Sequence, residues 1–354
     1  MKGVQVMESM TATEPTTTVA APGKRVQKLR FYSQLFSLAI NIWIGAQFWL
    51  FIRYLQTGGS SWHVSRPPGV EGWLPIGSLV SLRYWWESGI VNEIHPSGLF
   101  IFVTILITGL IFKKGFCSWV CPVGFISEML GDISDRLWKR RLKPPAFLDY
   151  FLRSLKYVIL AFFIWAVLIS MTPESIRSFV YSDYNIVSDI LMLRFFTDIT
   201  PFALGVVVAL FALSLVVRGF WCRYLCPYGA LLGLLNFISP TRIRRTESSC
   251  IDCSSCAAVC PAFIKVDKVK EVVSDECIGC MACVDACPVS KTLEIKAVSK
   301  RRAVSPVKWA AALLLLFWGT LFVVKMAGPW QNSISERQYM EHIESMEQGQ
   351  YVHP

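Results

Sequence analysis

Two cysteine runs carry the most specific chemistry in this sequence of 354 residues. Residues 250–261 read C-I-D-C-S-S-C-A-A-V-C-P, and residues 277–288 read C-I-G-C-M-A-C-V-D-A-C-P. Three cysteines in this spacing wrap a tight loop around one face of a [4Fe–4S] cube, leave the loop's amides to donate to its sulfides, and rely on a distant fourth thiolate to close the site. In such paired runs the cysteine before the proline ligates the other cube. Cys250, Cys253, Cys256 and Cys287 are therefore assigned to one cubane, and Cys277, Cys280, Cys283 and Cys260 to a second. Zinc also takes four cysteines, but from two separate C-x2-C pairs with no third cysteine and no following proline, and is the weaker reading.

The other four cysteines sit in a repeated motif. Lys114-Gly115-Phe116-Cys117-Ser118-Trp119-Val120-Cys121-Pro122-Val123-Gly124 returns as Arg218-Gly219-Phe220-Trp221-Cys222-Arg223-Tyr224-Leu225-Cys226-Pro227-Tyr228-Gly229. Cys117 and Cys121, like Cys222 and Cys226, would share a helical face if the turn between them is helical. Proline just after each pair suits the first turn of a following helix. These four cysteines are candidates for a further redox or metal site: another Fe–S centre, a dithiol/disulfide relay, or a copper-like thiophilic ion. The plain alternative is that they pack helix ends. A metal or cluster site is preferred among these.

The elements that must position these groups are apolar helices. Hydrophobic residues make up 53% of the chain, and the mean hydropathy is +0.45, beyond what a soluble domain shows. Transmembrane helices are predicted near 31–54, 97–114, 151–171, 200–218 and 305–327. The second is short, and its helix is expected to continue past Lys113 and Lys114 at the interface. Residues 1–30 read as a disordered tail ending in basic residues, and 328–354 as a second tail. Alternating sides separate the charge: 1–30, 113–156 and 218–308 carry net +3, +5 and +6, whereas 53–96, 172–198 and 325–354 carry 0, −2 and −2. The positive-inside rule then puts both C-x3-C-P motifs and the cubane unit in the cytoplasm and the C-terminal tail outside. The total charge of +10 is a topology signal rather than a nucleic-acid footprint, since no base-reading module accompanies it. Each motif copy ends an outside-to-inside helix, so the first four spans read as two parallel repeats about an axis along the membrane normal, which brings the four cysteines together at the inner face.

With these motifs the chain resembles the membrane polyferredoxins of the NapH and NosR type, in particular the YccM-like electron-transport proteins. The resemblance rests on the paired K/R-G-F motifs, the double cysteine run and the stretch Arg66-Pro67-Pro68-Gly69-Val70-Glu71-Gly72-Trp73-Leu74-Pro75. It implies a redox protein of the bacterial inner membrane, passing electrons between a quinol pool or cytoplasmic donor and a membrane or periplasmic redox partner. NosR carries an additional flavin-bearing external domain, for which this sequence offers neither a segment nor a suitable threonine.

The expected architecture is thus a polytopic α-helical membrane protein of about five spans, with a membrane domain over 31–239 and an α+β ferredoxin-like domain over 240–300 that holds two [4Fe–4S] clusters. Its partners are membrane lipid, redox proteins and, as a candidate, quinol; the oligomeric state is not legible. An electron-transfer subunit is preferred over a stand-alone enzyme, either a metal-ion reductase or a quinol dehydrogenase using the C-x3-C-P cysteines, and over a redox-sensing assembly subunit. His63, His95, His342 and His353 all fall outside the hydrocarbon, so a bis-histidine haem is not expected, and no C-x-x-C-H exists for haem c. No glycine-rich dinucleotide fingerprint follows a predicted strand. Arg83, Glu87, Glu93 and His95 could meet a quinol headgroup at the outer end of the second span, but ordinary interfacial polarity is the preferred account. Trp62, Trp73, Trp85 and Trp86 outside, with Trp119, Trp138 and Trp221 inside, read as an aromatic belt. Lys265, Lys268 and Lys270 read as a solvated face before a docking site.

Overall fold

The computed structural model describes residues 25–139, 141–297 and 303–347. The tail expected over 1–30 therefore lies outside the described residues up to residue 24, as does His353. The chain runs α1 (Arg25–Gln56), α2 (Pro75–Ser88), α3 (Pro96–Phe112), α4 (Gly115–Trp119), α5 (Pro122–Leu137), α6 (Ala146–Ile164), α7 (Pro173–Val180), α8 (Asp183–Ile186), α9 (Ser188–Thr197), α10 (Pro201–Val216) and α11 (Pro227–Ile238). There follow β1 (Thr241–Arg245), α12 (Ser255–Ala258), α13 (Ala282–Asp285), β2 (Leu293–Ala297), β3 (Ala303–Val304), α14 (Pro306–Ala327) and α15 (Glu336–Glu347). Proline opens α3, α5, α10, α11 and α14, where its missing N–H costs no helical hydrogen bond.

This is a mainly helical membrane protein with three candidate spans among the described residues: Arg25–Gln56, Ala146–Ser170 and Pro306–Ala327. At about 1.5 Å per residue, α1 is about 48 Å long and α14 about 33 Å, enough for a ~30 Å hydrocarbon layer. The α9 and α10 helices bend by 78° at their junction and count as a fourth span only if taken as one broken segment. Large apolar side chains stand exposed along these helices, among them Trp43, Phe162, Phe202 and Leu315, a surface suited to lipid.

The second predicted span differs from expectation. Its helix α3 ends at Phe112 instead of continuing past Lys113 and Lys114. Lys113 takes φ 59° and ψ −154°, and the Lys114 amide donates to Asn236 Oδ1 (3.0 Å) rather than to a helical carbonyl. Both lysines are buried, so the chain turns inward here and does not run on at the interface. On α5 the residues packed against the protein are Phe125, Ser127, Gly131 and Ser134, while Ile126, Met129 and Ile133 remain exposed. The small face admits Arg218, which reaches Asp132 (2.7 Å) and Asp135 (2.8 Å).

A three-stranded antiparallel sheet, in the order β1-β2-β3, frames the cysteine-rich unit, with Ile243 opposite Ile295 and Ile295 opposite Val304. Its core merges with the N-terminal part of α1 (Val26), the end of α3 (Phe112) and α14 (Trp309, Leu313). The opposite end of α1 (Phe48, Phe51, Leu55) packs with α9 and α15 through Val187, Ile190, Tyr339 and Ile343.

That far end is held by a buried charge network. Arg66 donates to Asp189 Oδ2 (2.9 and 2.7 Å) and pairs with Glu71 (2.9 Å). Glu71 in turn accepts from the Ser97 hydroxyl (2.5 Å) and the Gly98 amide (2.9 Å), satisfying the first turn of α3 at the positive end of its dipole. Burial alone would raise the Glu71 carboxyl, but Arg66, His95 and Ser97 hold it below its ordinary value of 4.5. A carboxyl depressed in the fold contributes stability that is complete above that ordinary value and is lost as pH falls through the folded one. Glu71→Gln is expected to lower stability by about 1–3 kcal/mol, since Arg66 loses one of its two carboxylate partners and keeps Asp189. Melting of the purified protein in detergent from about pH 5 downward to about pH 2 should show a shallower acid loss in the variant than in the parent.

Candidate iron–sulfur and cysteine sites

The two cysteine runs adopt the same local shape. In the first, Asp252 and Ser254 have positive φ (51° and 55°); in the second, Gly279 and Met281 do (61° and 60°). Left-handed residues between cysteines curl the backbone so that successive amides face one side, the side on which an anionic cluster would sit. Non-glycine residues rarely adopt this conformation, and holding three of the four there is the kind of strain that marks a binding loop. Each run then enters a one-turn helix, α12 or α13, that carries its third cysteine.

Cysteines from both runs converge. Cys250, Cys253, Cys256 and Cys287 line one small cavity, closed by Ile251, Pro288 and Leu293. Cys260 lies within electrostatic reach of Cys277, Cys280 and Cys283. The pairing of sequence-distant cysteines with each loop is the donor set a cubane requires. All twelve cysteines are free thiols, and among the described residues no three His, Cys, Asp or Glu side chains are close enough to hold one metal ion. A cubane takes its thiolates at four separate corners. The loops differ in exposure: Cys253 is exposed and Cys250 and Cys287 half-buried, while Cys260, Cys277, Cys280 and Cys283 are all buried. Burial pushes the Cys280 thiol up to about 12, and a cluster would hold it as the thiolate.

The buried loop is fastened to the helices through its carbonyls. Cys277 O accepts from Asn236 Nδ2 (2.9 Å), Ile278 O from Ser118 Oγ (2.5 Å), Gly279 O from Trp119 Nε1 (3.1 Å) and Cys280 O from Gln27 Nε2 (2.9 Å). Four successive carbonyls are thus capped from outside the loop. Just before it, Asp275 accepts from Arg153 (2.7 and 2.8 Å) and Tyr157 (2.6 Å), and Glu276 accepts from Lys156. Burial would raise the Asp275 carboxyl, yet the Tyr157 and Arg153 hydrogen bonds hold it well below its ordinary value. Trp119 is completely buried in this contact, which removes it from the expected aromatic belt. Trp138 and Trp221 keep partial exposure, as do Trp62, Trp73, Trp85 and Trp86.

Cys117, Cys121, Cys222 and Cys226 line a common cavity of about 1280 Å³ that extends past Ile101, Phe102 and Phe163 to Arg66 and Gln331 at the other end. The members of each pair do not share one helix. Instead α4 stops at Trp119, and Cys121 precedes α5; likewise a wide π turn over Trp221–Leu225 stops before Cys226, which precedes α11. The break follows from Pro122 and Pro227, which disfavour helical backbone in the residue before them. The glycine of each motif permits the packing: a Cβ on Gly124 would sit 2.0 Å from the Cys117 carbonyl oxygen, and one on Gly229 2.9 Å from that of Cys222. Lys114 is buried, lines the cavity and has no carboxylate within ion-pair distance among the described residues.

Other candidates separate. His95 turns away from Glu93, Glu87 and Arg83 to sit 3.4 Å from Glu71 and to bond the Asn185 carbonyl (2.6 Å). Arg83 pairs with Glu87 (2.7 Å) and donates to the Val167 carbonyl, so the four do not form one headgroup site. His63 pairs with Glu336 (2.8 Å). Lys268 and Lys270 are exposed beside Asp267 and Glu247. The partnership of Asp189 with Arg66 and the carbonyl caps are not legible in sequence, because their members lie far apart along the chain.

The family described as "4Fe-4S binding domain" matches twice, over residues 94–141 and 199–246, and "4Fe-4S dicluster domain" matches 242–288. The proposed electron transport protein YccM of Escherichia coli K12 is 42% identical over 318 residues, 88% of this chain and 88% of YccM. The chain belongs to the family of ferredoxin-type electron-transport proteins that includes YccM. Within that family, the ferredoxin-type protein NapH of E. coli K12 is 32% identical over 42% of this chain and 48% of NapH. The regulatory protein NosR of Pseudomonas aeruginosa is 27% identical over 46% of this chain and 23% of NosR. No solved structure matches. The family and the cysteine geometry make this a membrane protein that binds iron–sulfur clusters, transfers electrons and works with redox partners.

The glycine contacts give a graded expectation. Gly124→Ala should destabilise by ~3 kcal/mol or more, because the clash is with backbone, and Gly229→Ala by less. Thermal melting of both variants in the same detergent checks the order; equal, small losses would contradict the close packing described.

Proposed function

We propose that this chain carries electrons through two [4Fe–4S] clusters, between a quinol pool or a cytoplasmic donor and a membrane or periplasmic redox partner. The observation that carries the reading is the meeting of Cys287 with Cys250, Cys253 and Cys256 around one cavity, matched by Cys260 beside Cys277, Cys280 and Cys283. When bound, the clusters supply one-electron carriers at two neighbouring points. The protein's part is to hold one set of thiolates at the surface and the other against the helices. The amides of each loop, freed from carbonyl pairing on the inner side, are the donors available to the sulfides.

The four C-x3-C-P cysteines extend this arrangement into the membrane domain. Ser118 and Trp119, between Cys117 and Cys121, are the residues bonded to Ile278 and Gly279, so the first motif is joined directly to the buried loop. We read these cysteines as a further redox or metal centre facing an apolar cavity. An apolar cavity of this size suits a quinol. The charge asymmetry supports a bacterial inner-membrane orientation with the cysteine-rich domain over 240–300 in the cytoplasm and residues after Ala327 outside. Five spans, the first four as two parallel repeats, remain the topology we favour. A second reading, that the chain itself oxidises quinol, draws on the same cavity. It requires that the purified protein alone turn over a soluble quinol analogue with a small-molecule electron acceptor, whereas an electron-transfer subunit turns over at a useful rate only when its partner protein is added.

The ligand assignment has a direct test. Cys260→Ser should lower iron from about eight to about four per chain and remove the EPR signal of the site built on Cys277, Cys280 and Cys283, leaving the site of its own run. Selective loss of the sequence-adjacent site would reverse the assignment.

A further inference from the structure

Lys113 is 2% exposed, and its ammonium donates to the Val272 carbonyl at 3.2 Å. Among the described residues no carboxylate lies within ion-pair distance of it. Glu271, beside Val272 in sequence, is instead taken by Arg242 (3.2 Å) and Arg244 (3.1 Å). A buried cation without an anion is costly, and proteins keep one only where a negative charge answers it.

The surroundings point to that charge. Phe112, which precedes Lys113, packs in one core with Val272, Cys277, Met281 and Cys283. The next amide, that of Lys114, is held by Asn236, whose own side-chain amide caps the Cys277 carbonyl. The charges of Cys277, Glu271 and Cys283 favour the Lys113 ammonium, and that of Arg242 opposes it. Its backbone is fixed at φ 59°, a conformation L residues seldom take, so the turn that ends α3 delivers this side chain inward. Arg30, whose charge reaches Cys280, is already neutralised by Glu128 (2.5 Å), and Arg141, whose charge reaches Cys260, by Asp135 (3.1 Å).

We propose that Lys113 is the fixed counter-charge of the buried iron–sulfur site formed by Cys277, Cys280, Cys283 and Cys260, holding its reduction potential above the value that burial alone would set. The proposal rests on the two-cluster reading above. Reduction adds negative charge to a site whose four thiolates are all buried, and low dielectric opposes that charge. Lys113 offsets the opposition. The first-run loop needs no such residue, because Cys253 is open to water.

The test is an EPR-monitored redox titration of the full-length purified protein, with parent, Lys113→Gln and Lys113→Arg compared. Iron content and the number of EPR centres in the parent, read first, judge the two-cluster reading on their own. In Lys113→Gln the buried site's midpoint should fall by about 59 mV, a tenfold change in its oxidised-to-reduced ratio for one electron, while the exposed site stays at its parental value. Lys113→Arg should stay near the parent. An unchanged midpoint in Lys113→Gln, or the same shift in both variants, overturns the proposal. Loss of the buried site from Lys113→Gln with retention in Lys113→Arg supports the same charge requirement; loss from both makes Lys113 a structural residue and overturns it.

Discussion

Four hydrogen bonds to four successive carbonyls, from Cys277 to Cys280, decide how this molecule is put together. A cluster-binding loop must turn its amides toward the sulfides, which leaves its carbonyls pointing the other way. In a soluble ferredoxin-like unit that outer side can face water. Here it is buried, and an unmet buried carbonyl costs about 1–3 kcal/mol. Asn236 on α11, Ser118 and Trp119 on α4, and Gln27 on α1 each meet one. The loop can therefore be buried only where these three helices come together, and their packing is in turn fixed by the loop.

This constraint explains the asymmetry of the two otherwise matching runs. The first keeps Cys253 in contact with solvent; the second lies between sheet and helices with Cys277, Cys280 and Cys283 all buried. One loop is open to water and the other is joined through Ser118 and Trp119 to the cysteines that line the large cavity. The buried charges follow the same division. Arg153, Lys156 and Tyr157 of α6 grip Asp275 and Glu276 ahead of the buried loop, tying a membrane helix to the sheet domain at a second point. At the far end, Arg66, Glu71 and Asp189 fix the start of α3, so that helix is held at both its ends.

Much of the site could be read from sequence because its logic is local. Cysteine spacing, the following prolines and the repeated K/R-G-F motif are short-range patterns, and the elements they call for are present: Pro122 and Pro227 do open α5 and α11. The long apolar stretches of α1 and α14 were legible for the same reason. What escaped were features decided across long sequence distance. Trp119 reads as a belt residue because tryptophan near a membrane end usually is one; its partner Gly279 lies 160 residues on. Lys113 and Lys114 read as interfacial because lysine beside an apolar run usually snorkels, whereas the inward turn depends on Asn236, more than 120 residues away. The helical face imagined for Cys117 and Cys121 failed on a local rule, since proline bends the residue before it out of the helix.

The central claim is that the membrane helices, through those carbonyl caps, hold the second cluster loop in a form able to bind iron. Asn236→Leu keeps the side-chain volume and removes the caps on Ser274 and Cys277 together with the acceptor for Lys114. Iron content and EPR of this variant, purified as the full chain, test the claim most directly. About four irons per chain should be lost, all from the buried site, with the exposed site intact. Full iron content with both signals unchanged would contradict it.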